Sequence, residues 1–274
     1  MSQEEILIEP AGGLARYWRD LWKYRELFYF LAWRDIAVRY KQTAIGVLWS
    51  VIRPLLTMLI FTVIFGKIAK MPSNGVPYPI LVFSAMIPWQ FFASALAESG
   101  NSLITNANLI SKVYFPRLAI PTSAVAVSFV DFLISLLILI AMLGWYQFMP
   151  GVRVLVLPLF TLLAFGAATG AGLLLASLNV KYRDFRYIVP FIVQIGLYVS
   201  PVGFSSNSVP PGWRLWYSLN PMVGVIDGFR WAILGESVEF YWPGFLLSVT
   251  TVAVLLALGV WHFRKTERGF ADMI

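Results

Sequence analysis

No cysteine occurs among the 274 residues. Disulfides, zinc–thiolate sites, iron–sulfur clusters and thiol nucleophiles are excluded together. Histidine is nearly absent as well: His262 stands alone beside Trp261, at the end of an apolar run. One histidine without cysteine cannot assemble a His-rich metal centre, and packing at the membrane interface is the role expected of it. Charge is scarce, at 13% of residues where a globular chain carries about 25%. The 14 acidic residues show no paired D-x-D spacing. No G-x-x-x-x-G-K-[ST] loop is present; the Gly66-Lys67 pair lacks both the upstream glycine and the following hydroxyl. The chain by itself is therefore not expected to hydrolyse ATP, to process a sugar nucleotide or to hold a cofactor. Its opening, MSQEEILIEPAGG, lacks a basic segment followed by an apolar one, so no cleavable signal is expected.

What the chain has is apolar length. Hydrophobic residues make up 59% and aromatics 16%, against about 45–50% apolar in globular proteins. Six stretches are read against the roughly 20 residues that cross about 30 Å of hydrocarbon. They lie at about 45–67, 79–99, 118–146, 154–178, 187–202 and 243–263. The third is the most apolar. The fourth carries GAATGAG, Gly166 to Gly172, whose small residues suit close helix packing. The fifth is short and contains Pro190 and Pro201. The expected fold is all-α, one membrane-embedded domain over 1–274.

Residues 32–54 organise the rest. Arg34, Asp35, Arg39 and Lys41 crowd the first part, and the next charge is Arg53, inside the first span. Just upstream, 14–31 has helical apolar spacing (Leu14, Tyr17, Trp18, Leu21, Trp22, Phe28) opposite Arg16, Arg19, Lys23 and Arg25. That pattern suits a helix lying among lipid headgroups. With the N-terminus inside, 15 of the 21 basic residues fall on cytosolic segments and five on external ones, with Arg53 remaining in the first span. The bias places both termini in the cytosol and accounts for the +7 net charge without nucleic acid.

Four sets of residues are candidates for function. Asp131 and Arg53 are charges within spans, where ionisable groups usually face protein or water. Asp131 is expected to pair within the bundle, with Arg53 as a candidate partner; a proton-relay role is the alternative. The aromatics Trp89, Phe91, Phe92, Tyr198, Phe204, Trp213, Trp216, Tyr217 and Trp231 are read either as an interfacial belt or as the wall of a passage for sugars. The connector 100–117 offers Leu103, Ile104, Leu109, Ile110, Val113 and Tyr114 as an exposed apolar face rimmed by Asn106, Asn108 and Lys112, suited to a groove on a partner. Finally, 203–242 starts polar and turns apolar and aromatic, too interrupted to span and too greasy for a free loop. Two short helices re-entering the outer leaflet would fit it.

WRDIAVRYKQTAIGVLW (33–49), IPWQFF (87–92), NANLISKVYFPRLAIP (106–121), VKYRDFRYIVP (180–190), SPVGF (200–204), NPMVGVIDGFRWAILG (220–235) and RGFADMI (268–274) together resemble the permease subunit of ABC-2-type polysaccharide exporters, which move O-antigen, capsule or teichoic-acid chains out of bacteria. The resemblance implies six spans and an interface helix at 14–31. It also implies a coupling helix at 106–116 (Asn106, Asn108, Leu109, Lys112, Tyr114) and an outer gate at 205–235. It implies a homodimer in the bacterial inner membrane with two cytosolic ATPase subunits that bind ATP and magnesium. An undecaprenyl-linked polysaccharide would enter near Arg16, Arg19, Arg34 and Arg39, which could meet its diphosphate. The rival expectations are a drug or small-lipid exporter of the same superfamily, a membrane-embedded transferase and a passive channel.

Overall fold

The computed structural model describes residues 19, 22–41, 46–73, 75–113 and 115–273. Among them every regular element is helical. In chain order these are α1 (Arg25–Lys41), α2 (Gly46–Phe61, continued by the π-helical turn Thr62–Ile68), α3 (Tyr78–Thr105) and α4 (Ala107–Lys112). Then follow α5 (Ala119–Trp145), α6 (Leu157–Lys181, preceded by a 3-10 turn at Val152–Val156) and α7 (Phe185–Val199). The chain ends through α8 (Pro211–Tyr217), α9 (Pro221–Leu234), α10 (Trp242–Thr266) and α11 (Phe270–Met273). Prolines open α3, α6, α8, α9 and α10, where a missing N–H costs nothing. Asn220 caps α9 by accepting from Met222 N at 3.0 Å, and Gly235, at φ +67°, ends it.

Among the described residues, five helices are long and apolar enough to cross a membrane: Leu48–Ile68, Tyr78–Thr105, Ala119–Trp145, Val152–Lys181 and Trp242–Thr266. The stretch expected at 187–202 is the exception. Its helix, α7, has 15 residues, about 22 Å at 1.5 Å per residue. Of the helix expected at 14–31, Arg19, Trp22 and Lys23 are helical and Arg25–Lys41 forms α1, so helix continues through the charged stretch 32–41 ahead of the first span. Of the expected start, residues 14–18, 20 and 21 lie outside the described residues.

α3 is the axis of the bundle, packed chiefly against α5 and α6. Its most apolar window is 78% buried, whereas that of α2 is 11% buried. α5 has the highest mean hydropathy of the five spans, 2.6, and α3 the lowest, 1.7. α3 is thus the most buried and the least apolar of the five: facing lipid, which is as apolar as leucine, selects for hydropathy, while packing selects for fit.

The GAATGAG run sits at two helix crossings. A Cβ on Gly170 would lie 2.6 Å from the backbone of Leu256 in α10, and one on Gly259 would lie 2.2 Å from the Gly170 carbonyl. On the other side, Gly172 meets Ser99 of α3, with its added Cβ at 2.7 Å. No side chain larger than hydrogen fits these approaches.

Two hydrophobic clusters result. The larger fills the bundle around α3, α5, α6 and α9. The smaller lies where α3 passes into α4 and joins Leu31, Leu103, Ile110, Phe115, Phe263 and Phe270.

Candidate functional site

α1 packs along α5, and this sets the charges. Arg39 Nη1 lies 2.5 Å from Asp131 Oδ2, and Arg39 Nη2 lies 2.6 Å from Glu98 Oε1. The hydroxyl of Tyr40 donates to the other oxygen of Asp131. Burial, then the Asp131 carboxylate, push the Tyr40 phenol upward, so it remains a proton donor. The partner expected for Asp131 was Arg53; the observed partners are Arg39 and Tyr40. Arg53 is exposed on α2, which packs less closely on α5 than α1 does, and it lines the same cavity without pairing with Asp131. Glu98 is the single charge of α3 and Asp131 the single charge of α5. Both spans therefore commit their one acid to the same guanidinium, a convergence signalled in the sequence only by how isolated each acid is.

These groups stand at one end of a cavity of about 840 Å³ bounded by α2, α3, α5 and α7. Trp49, Trp89, Gln90 and Leu197 also line it. Trp89 presses on α7 where Gly196 makes room: a Cβ there would lie 2.5 Å from the indole.

Arg34, one turn before Val38 on α1, donates from Nε to Asp35 at 2.8 Å and from Nη2 to Asn106 Oδ1 at 2.9 Å. Asn106 is the junction between α3 and α4, its own Nδ2 donating to Ser102 O at 2.9 Å. Of the other residues expected in a docking element, Asn108 and Lys112 are exposed, while Leu109 is half-buried on the smaller cluster. The exposed apolar face expected there forms only at Val113, which is exposed, with Ile104 half-buried. Leu103, at the end of α3, and Ile110 are buried, because α4 turns Leu109 and Ile110 toward the smaller cluster and leaves Asn108, Ser111 and Lys112 outward. Arg19 is helical and exposed. Arg16 and Tyr114 lie outside the described residues.

The nine aromatics do not share one wall. Phe91 is 2% exposed among Phe129, Phe132 and Phe165. Phe92 is half-buried beside Trp89, their rings 5.8 Å apart. Trp231 is half-buried against Phe160 and Phe240, with the Arg153 guanidinium 5.1 Å from its ring centre. Tyr198, Trp213 and Trp216 are exposed. Tyr217 donates to Val199 O at 2.7 Å and so fastens α8 to the end of α7.

Phe204 takes part through its carbonyl. Arg230, 1% exposed, donates to Phe204 O at 2.6 Å, Val202 O at 2.9 Å and Leu81 O at 3.2 Å. Tyr78 donates to the intervening Gly203 O at 2.6 Å. Three consecutive carbonyls of a non-helical stretch are thus each given a donor by another helix. Arg230 was counted in the sequence as an ordinary external charge; nothing in its spacing marks it as buried. The lone His262 shares a 2.7 Å hydrogen bond with Ser177 of α6.

A sequence model described as ABC-2 type transporter matches residues 26–234. Among curated proteins, the chain is similar to the O-antigen export system permease protein RfbA of Klebsiella pneumoniae, 28% identical over 242 residues, 88% of this chain and 92% of that protein. The protein of the same name from Myxococcus xanthus is 26% identical over 264 residues, 95% of this chain and 100% of that protein. The polysialic acid transport protein KpsM of Escherichia coli is 24% identical over 238 residues, 85% and 91% of the two chains.

Proposed function

This chain belongs to the ABC-2 type transporter family, and from that membership we propose that it is the membrane-spanning subunit of an ATP-driven polysaccharide exporter, O-antigen being the first candidate cargo. The observation that carries the reading is the similarity, along nearly the full length of both chains, to permeases named for O-antigen and polysialic acid export. ATP hydrolysis belongs to a separate subunit on this reading. The polar outward face of α4 would meet that subunit, with Asn108 and Lys112 at the contact.

The chain crosses the bacterial inner membrane six times, with both termini in the cytosol. α7 supplies the fifth crossing together with 200–204. The observation in favour is that this irregular stretch is closed off by Arg230 and Tyr78, as backbone at membrane depth must be. α8 and α9 re-enter from the outer side as the gate, and α1 lies at the cytosolic interface. A second copy of the chain covers α2 and α7, whose exposed apolar faces flank the cavity. The undecaprenyl-linked diphosphate approaches at Arg34 and Arg39, with Arg16 and Arg19 upstream, competing with the carboxylates those two guanidinium groups already hold.

Deleting this chain alone tests the function. Fractionation, with labelling of intact against permeabilised cells, is expected to find full-length lipid-linked polymer trapped in the cytosol. Normal surface glycan in the deletion strain would overturn the reading, and polymer never made would point to an enzyme or precursor flippase.

A further inference from the structure

The smaller hydrophobic cluster is not explained by membrane insertion or by the cavity. After α10 the chain reverses through the 3-10 turn Glu267–Gly269 and sends Phe270 back beneath α4. Phe270 is 0% exposed. Its ring meets that of Phe263, on α10, at 5.3 Å and 74°. It shares the cluster with Ile110 of α4, Leu103 of α3 and Leu31 of α1. A second tie runs alongside, since Arg117 donates to the carbonyl of Glu267. On the α1 side, Arg34 holds Asn106 at the α3–α4 junction. α4 therefore rests on α10, through Phe270, and not on its neighbours in sequence alone.

We propose that Phe270 is the positioning residue that transmits displacement of α4 to α10, so that force applied to the outward face of α4 moves the last long helix. Packed interiors transmit strain because their contacts leave no slack. A buried phenylalanine between two helices is such a contact; an alanine would leave a void into which α4 can move without α10. The inference rests on the reading of α4 as the face that meets the ATPase subunit.

The test uses the full complex, purified with its ATPase subunit. Phe270→Ala is expected to leave co-purification of the ATPase and its hydrolysis within about twofold, while export falls about tenfold or more, in the range of ordinary coupling between sites. Phe270→Leu, which refills most of the volume, is expected to restore export. Because the chain has no cysteine, spin labels at Ser111→Cys on α4 and Trp261→Cys on α10, both exposed, report directly on the linkage. Their separation is expected to stay narrow with and without nucleotide, and to broaden once Phe270→Ala is added. Unchanged export in Phe270→Ala would overturn the proposal. So would loss of the ATPase subunit, hydrolysis falling in step with export, or a separation that Phe270→Ala leaves unchanged. The premise is checked separately: if Asn108→Glu with Lys112→Glu leaves ATPase binding intact, the reading of α4 fails, whatever the Phe270 variants do.

Discussion

Arg39 holds two acids from two different helices, and each pair is only partly shielded from solvent, with side-chain exposures of 30% for Arg39 and 31% for Asp131. A double-mutant cycle of Arg39→Gln and Asp131→Asn is expected to give a coupling of about 1 kcal/mol, above the exposed-pair median and well below a fully buried pair. Thermal unfolding in detergent measures it. A coupling indistinguishable from zero would mean that Tyr40 and Glu98 carry the contact without the ion pair. None of this pairing could be read along the chain. Arg39 and Asp131 are 92 positions apart, and a sequence shows which charges sit in apolar surroundings without showing which helix brings the counter-charge. Arg53 was the nearer guess because it too lies within a span; α1, expected only as an interface helix, supplied the partner instead.

At the scale of elements, the α6–α10 crossing shows how much a short motif can specify. GAATGAG announced close packing, and the approach at Gly170 and Gly259 is backbone to backbone. Gly259→Ala is expected to cost about 1–3 kcal/mol by forcing the helices apart. Gly144→Ala, near the end of α5 with nothing within 4 Å of its added Cβ, is expected to be neutral or to stabilise by up to about 1 kcal/mol through helix propensity. The two changes are chemically identical, so opposite signs in the unfolding midpoint isolate packing; equal shifts would refute the crossing. α4 was harder to read. Six residues are fewer than two helical turns, too few for periodicity to say which face is inward, and so Ile110 was expected on the surface it in fact avoids. Leu103 was expected there too because the second span was expected to end near 99, whereas α3 runs on to Thr105. The short α7 posed a different difficulty: its helix ends at Val199, and the carbonyls of the irregular backbone that follows take their hydrogen bonds from Tyr78 and Arg230, far away in sequence.

For the molecule as a whole, the unequal burial of the long helices makes the proposed second copy testable. α2 is the least buried span, and Leu56 on it is exposed. In this cysteine-free chain, Leu56→Cys is expected to cross-link into a covalent dimer in membranes under mild oxidation. Leu137→Cys, more exposed still but on α5, is expected to remain monomeric. Cross-linking from Leu137→Cys and none from Leu56→Cys would place the partner on the opposite face.

The contrast between α3, the most buried and least apolar span, and α5, the most apolar, carries a consequence for how this chain can drift. α3, enclosed on nearly every side, holds Ser84 and Ser102 with their hydroxyls turned onto its own carbonyls, and two of its alanines, Ala85 and Ala95, have no exposure at all. A small polar atom is welcome there and an extra methylene is not. α5 meets the reverse demand along its lipid face, where Leu133, Leu137 and Ile140 are exposed: any apolar side chain serves, whatever its shape, and any unpaired charge does not. Two helices of 28 and 27 residues thus evolve under different filters, one reading size and the other reading polarity.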